Sequence, residues 1–421
     1  MRSARLASVF SVLFFVSFAA SHIALARSQN NILTTAEWRE NIEFVARAIK
    51  NNHPDPFAYT PEPEFDARLS HLRDRLSSLK DHQVLVELMA TVASLKDGHT
   101  AIRGGFSFLS GRYPFQFYAF RDGLHVTAAN DSYQSLVASL LISVGNIPAT
   151  EALMRVSRMA PHENEMTQLA RAPAFLSIPE ALEALGLAQS LEQAEFLFRR
   201  VDGTESSIIA TPGSFEEQLY WGGDATPAER PLRRQRRGRN YWSEYQEDVG
   251  LLYVQFNRVR NDDEQSIAEF AAELATIEEG SAARCVLLDI RDNGGGNDYF
   301  NRPMVEWATR SPSAAKGQFF VAIGRGTFSA AQKLATRLAL ETEVTFIGEP
   351  TGSRPNHFGD SESFDLPHGD LTLSVSSIYW EDAGPGDSRE SLEPDILITE
   401  SSADWFSFGD PVLEYLVDRC E

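Results

Sequence analysis

Apolar residues recur every three or four positions between about residues 34 and 94. Trp38, Ile42, Val45 and Ile49 form one such series, and Leu69, Leu72, Leu76 and Leu79 form another. That period places the apolar side chains on one face of successive helices. A third helix is expected over residues 83–95. It stops at Lys96-Asp97-Gly98, where Gly98 suits a left-handed C-terminal cap. Residues 27–105 therefore read as a helical region, a cap or dimerisation element. From about residue 106 the period shortens to that of strands, with β-prone runs over 113–120, 123–128 and 140–146. Helical stretches over 149–156 and 190–199 interrupt this β-rich middle region, which extends to about residue 245. From 246 to 421, short apolar strands alternate with amphipathic helices. Strands are expected over 250–256, 285–290, 318–323 and 344–347, and helices over 265–277, 301–308 and 329–340. Such alternation builds an α/β core, a sheet of βα units covered by helices.

Composition narrows the function. With 59 acidic against 38 basic residues and a net charge of −21, the chain has no basic face for nucleic acid. Six arginines between 230 and 239 form the one basic stretch, which reads as a solvated loop between regions. Residues 1–26 read as an export signal. Arg2 and Arg5 precede an apolar run over 6–20, and Ala24-Leu25-Ala26 supplies a small-x-small cleavage pattern. That run is shorter than the roughly 20 residues a membrane helix needs, so the expected product is exported and not inserted in a membrane. The two cysteines, Cys285 and Cys420, permit one disulfide, although Cys285 opens an apolar run and reads as a buried small hydrophobe. No cluster of cysteine and histidine has metal-ligand spacing, and neither metal nor cofactor is expected.

Three segments carry candidate chemistry. Ser329 falls where an apolar strand and a glycine-bearing turn lead into a helix, so its hydroxyl sits at the positive end of the helix dipole. That is a setting for a nucleophile, and also for an ordinary serine N-cap. Gly294-Gly295-Gly296 follows the strand ending near Ile290 and allows close backbone approach to a substrate. His99, in Asp97-Gly98-His99-Thr100, occupies a turn where it can act as a base.

In order, the segments Leu95–Thr100, Leu288–Gly296, Thr327–Ala331, Gly348–Gly352 and Leu392–Ile396 resemble the tail-specific (C-terminal-processing) serine peptidase family. That family includes tricorn-like peptidases and retinoid-binding repeats. The resemblance implies a crotonase/Clp-type core with Ser329 as nucleophile. It draws oxyanion donors from the Ala330 amide and the glycine loop, at Gly295 or Gly296. Bacterial members use a lysine base shortly after the Gly348–Gly352 segment, where this chain has Arg354. A guanidinium keeps its proton and cannot serve as base. Lys333, the only lysine after Ser329, reads as a surface residue. The tricorn-like branch instead implies an upstream histidine, His99, and a downstream carboxylate, Asp387 first and Glu390 second. Residues 141–148 faintly resemble part of a PDZ domain but lack its carboxylate loop, so recognition of free C-termini is not implied. The reading is an exported serine peptidase acting on peptide or protein. Its rival is a non-catalytic relative holding a small apolar ligand in the same cleft.

Overall fold

The computed structural model describes residues 33–221, 230–281 and 283–420. The expected export signal over 1–26 lies outside the described residues. Among them, no helix is long and apolar enough to cross a membrane.

Three helices, Thr35–Asn52, Glu62–Arg75 and Asp81–Ala93, open the fold. Thr34 starts the first with a capping box to Glu37, satisfying backbone N–H groups that have no partner in the first turn. Trp38, Ile42, Val45 and Ile49 then turn inward together, as their spacing predicts. This helical core is closed from the far end of the chain. The strand Ala101–Gly104 pairs antiparallel with Leu371–Val375, which in turn pairs with Glu362–Asp365. Leu371, Leu373 and Val375 pack into the helical core, so it reaches well outside the expected 27–105 span.

The middle region is an antiparallel sheet packed around aromatic residues, with Tyr113, Phe115, Phe196 and Phe198 all fully buried. Residues 190–199 were expected to be helical, yet Ala194–Arg199 is a strand. Ala194, Phe196 and Phe198 alternate inward there, a period of two that overrides the local helix preference.

The third part is a six-stranded sheet in the order Ile396–Leu397, Thr345–Gly348, Phe319–Ile323, Cys285–Asp289, Leu251–Phe256, Tyr241–Gln246. All neighbours are parallel except the last pair. Helices Ile267–Ser281, Arg302–Arg310 and Ala330–Glu341 cover one face, and Pro411–Cys420 packs on the other. The mixed α/β architecture with leading helices and β-rich sheets is as expected. Cys285 is more than a small hydrophobe: it is disulfide-bonded to Cys420, fixing the final helix to a central strand. The 230–239 stretch is not simply a solvated loop either. Arg233 makes a two-pronged bond to Asp292 (2.9 Å each), and Arg234 lies 3.8 Å over the Trp405 ring. Their partners come from distant segments, which local charge counting cannot see.

Candidate active site

Two adjacent parallel strands, Cys285–Asp289 and Phe319–Ile323, end side by side, and the loops that follow them are bonded together. Asn293, fully buried, accepts the Gly295 N–H (2.9 Å) and donates to the Phe256 carbonyl (2.8 Å). Its carbonyl accepts the Phe328 N–H (3.0 Å). Thr327 donates to the Ile290 carbonyl (2.9 Å) and accepts the Gly324 N–H (3.1 Å). Ser329 emerges from this fixed turn at φ 56° and ψ −126°, immediately before the helix Ala330–Glu341. A serine N-cap has extended backbone angles and bonds its own helix. Ser329 has a left-handed φ and makes no capping bond, so its hydroxyl is not committed to the helix. Strain of this kind costs about 1–3 kcal/mol and persists only where the surroundings enforce it.

The glycine loop lies against the same point. A Cβ on Gly295, whose φ is +100°, would sit 2.8 Å from the Ser329 Cβ and 2.9 Å from the Ala330 nitrogen. The Gly295 N–H is already taken by Asn293. Gly296 forms a parallel bridge with Val259, through the Gly295 carbonyl and the Asn297 N–H. In such a bridge the amide of Gly296 itself points away from Val259. Of the two glycines expected as donors, Gly296 therefore has the amide not committed to the loop.

His99 comes from the turn after the third helix. Its ring stacks on Phe328, the residue before Ser329, at 4.5 Å between centroids. Gly98 permits this: a Cβ there would lie 2.7 Å and 2.8 Å from two Phe328 ring carbons. It is not the left-handed cap expected. Lys96 takes that role, with φ 57°. Asp97 sets the turn. One of its oxygens accepts the His99 N–H (2.9 Å), and the other accepts from Thr100 (2.5 Å), Ser376 (2.6 Å) and His53 (3.0 Å).

The carboxylate beside the imidazole is Glu163. Its Oε1 lies 3.4 Å from His99 Nδ1, and neither atom has another hydrogen-bond partner. Its Oε2 accepts from the Ser353 hydroxyl and the Arg354 N–H, both at 2.7 Å. Burial raises the Glu163 carboxyl; contact with His99, the nearby His357 and the Ser353 hydroxyl bring it back below its ordinary value. Asp387 is elsewhere engaged. It makes a two-pronged pair with Arg389 (2.7 and 2.9 Å), which holds its carboxyl below the ordinary range. Glu390 is largely exposed, 3.8 Å from Arg354. Neither expected carboxylate is brought to His99. Glu163 sits in the middle region without a motif, and only Ser353 and Arg354, just past Gly348–Gly352, link it to a recognisable segment.

Two cationic residues also differ from expectation. Lys333 is buried, with its Nζ 3.0 Å from Asp298, 3.5 Å from Asp382 and 3.2 Å from the Trp380 ring centre. It ties the start of the helix Ala330–Glu341 to the segment after the glycine loop. Arg354 stacks on Tyr59 at 3.9 Å and donates to the Lys96 carbonyl (3.0 Å), bracing the turn that carries His99. Asp97, His99 and Glu163 are close enough to hold a cation, their ligand atoms lying within 4.8 Å of one another. Both Asp97 oxygens, however, already accept hydrogen bonds.

No protein-family model matches the chain, and no curated protein sequence matches it. Solved structures do. Mature CPAF complexed with lactacystin matches at a TM-score of 0.63 with 12% identity, over 92% of this chain and 98% of that one. Mature CPAF alone gives 0.62 and 12%, over 92% and 96%. A photosystem II D1 C-terminal processing protease matches at 0.42 and 12%, over 92% and 97%. The chain thus shares the CPAF fold.

Proposed function

We propose that the chain is an exported serine peptidase with a crotonase/Clp-type core, Ser329 as nucleophile and His99 as general base. The observation that carries this is the junction at Phe328 and Ser329. Ser329 is held at a left-handed φ with no capping bond, and the residue before it stacks on His99. His99 takes the Ser329 proton as the Ser329 oxygen attacks a peptide carbonyl. The amides of Ala330 and Gly296 hold the oxyanion, and the helix dipole favours its charge. His99 then gives its proton to the leaving amine, and water hydrolyses the acyl-enzyme.

Glu163 takes the place in this scheme that the sequence reading gave to Asp387. By accepting a hydrogen bond from the Nδ1–H it fixes the imidazole tautomer and stabilises the imidazolium. Its 3.4 Å approach is long for a formed bond, and such contacts tighten when substrate binds. Export is supported by the apolar run over 6–20 and by the disulfide, since such bonds persist in oxidising compartments. A fluorophosphonate probe tests the reading: it should label the protein, and Ser329→Ala and His99→Ala should each abolish labelling. Equal labelling of Ser329→Ala and the wild type would refute it.

A further inference from the structure

Two buried polar atoms at the proposed catalytic pair, His99 Nδ1 and Glu163 Oε1, have no hydrogen-bond partner among the described residues. They face one another at 3.4 Å, beyond the ordinary length of the bond each lacks. Asp97 Oδ1 lies 4.0 Å from the same His99 nitrogen. That oxygen accepts the His99 N–H (2.9 Å), and a carboxylate oxygen has a second lone pair. One ligand atom from each of the three residues thus falls within 4.8 Å of the others. Asp97 and Glu163 are each only 2% exposed, so both negative charges are held out of water.

The spacing fits a metal ion. Zinc bonds of about 2.0–2.2 Å, arranged as a tetrahedron, hold their ligand atoms about 3.3–3.6 Å apart. The separation of His99 and Glu163 is already that edge, and Asp97 has to close by about half an ångström. The remaining oxygen of each carboxylate is fixed by its own donors. His53, Thr100 and Ser376 hold Asp97, and the Ser353 hydroxyl and Arg354 N–H hold Glu163. Such outer bonds aim the ligands before an ion arrives. One imidazole with two carboxylates suits zinc, whereas calcium and magnesium take more ligands, all of them oxygen. The His99 side chain, 13% exposed, leaves the ion a way in. Positive charge on Arg171 acts on both carboxylates and weakens their hold, so the ion comes and goes.

We propose that Asp97, His99 and Glu163 form an inhibitory site for a zinc-like divalent cation. This rests on the peptidase reading and adds a form of regulation to the same groups. A bound cation takes the Nδ1 lone pair. The neutral ring keeps one proton, which then sits on Nε2, the nitrogen that otherwise accepts the Ser329 proton. Glu163 is engaged by the ion and no longer orients the ring. The cation therefore holds His99 in the wrong tautomer, and its removal restores the base.

Binding and inhibition are measured separately. Zinc is titrated by calorimetry into Ser329→Ala protein, and cobalt(II) reports the same site by its visible absorption. Adding Glu163→Gln or His99→Phe should each weaken binding at least about tenfold. His99→Phe keeps a ring against Phe328, so its loss of binding does not stem from a lost stack. His368, with Glu37 and Glu40 around it, is the rival resting place, and His368→Ala should leave binding unchanged. In wild-type protein, saturating zinc should slow fluorophosphonate labelling about 100-fold, the scale of a lost general base, and EDTA should restore it. No zinc binding, binding that survives both Glu163→Gln and His99→Phe, or labelling indifferent to bound zinc would overturn the proposal. If metal-free protein never labels, the hydrolase reading fails and the inhibition with it, while calorimetry on Ser329→Ala still decides the metal site.

Discussion

Gly295→Ala tests the proposed oxyanion site most directly. The new methyl would lie 2.8 Å from the Ser329 Cβ, 2.9 Å from the Ala330 nitrogen and 2.9 Å from the Phe328 carbonyl oxygen. Two of these neighbours are backbone atoms and the third is a Cβ, so none is a flexible tip that can swing aside. The methyl therefore occupies the space in front of the Ala330 N–H, where the oxyanion would sit. Losing one such donor costs about 100- to 1000-fold in kcat, about 2.7–4 kcal/mol of barrier. The φ of +100° adds about 1–3 kcal/mol of strain for a residue with a Cβ. Gly384→Ala separates the two effects: its φ is +91°, and a Cβ there meets nothing within 4 Å. Gly384→Ala should show the stability cost of the strain alone by urea denaturation and Gly295→Ala a larger loss, because its methyl also clashes, but only Gly295→Ala should lose fluorophosphonate reactivity, by about 100-fold or more. If Gly295→Ala keeps reactivity within threefold of Gly384→Ala (a small margin beside a lost donor), the oxyanion assignment is wrong.

Glu163→Gln should lower kcat roughly 100-fold or more while Asp387→Asn, which only frees Arg389, changes it little; the reverse order in steady-state kinetics would restore the downstream carboxylate. Cys420→Ser opens a linkage spanning 135 residues and should cost up to about 5 kcal/mol, read from denaturant midpoints, with reductant producing the same loss in the wild type. Acid should also destabilise the fold through Asp97. Burial raises that carboxyl, but its bond from His53, the charges of His99 and His53, and the Ser376 hydroxyl carry it well below its ordinary value. The stabilisation is therefore complete above the ordinary aspartate pKa of about 4 and drains away as pH falls below it. Urea midpoints measured from neutral pH downward should show a shallower acid limb in Asp97→Asn than in the wild type.

The alternating strands and helices after residue 250 were legible because each is long enough to show its own period. Observed strands such as Leu251–Phe256 and Phe319–Ile323 fall within one residue of expectation. The positions of Ser329 and His99 were legible for a related reason: each sits in a short motif between elements. Glu163 was not, because what selects it is a contact with a turn 64 positions earlier and with two groups past residue 352. Burial of Lys333 was hidden likewise, since Asp298, Asp382 and Trp380 come from segments on both sides of it. Asp387 misled because a Pro-Gly-Asp turn directs a side chain without naming its target, and Arg389, two positions on, captured it. Local pattern specifies elements; the partners of charged groups depend on which elements meet.

The strand Leu371–Val375, which closes the N-terminal helical core, has a consequence in time. A chain is made from its N-terminus, so the three leading helices exist long before the strand that covers them. Until residue 375 is available, that first core lacks its lid of Leu371, Leu373 and Val375. The same strand carries the chain to Ser376, whose hydroxyl bonds Asp97 and so steadies the His99 turn. The first part of the molecule to be synthesised is thus among the last to be finished. A nascent or truncated chain ending before residue 371 would hold Ser329 and His99 in covalent sequence and yet lack the Ser376 bond to Asp97.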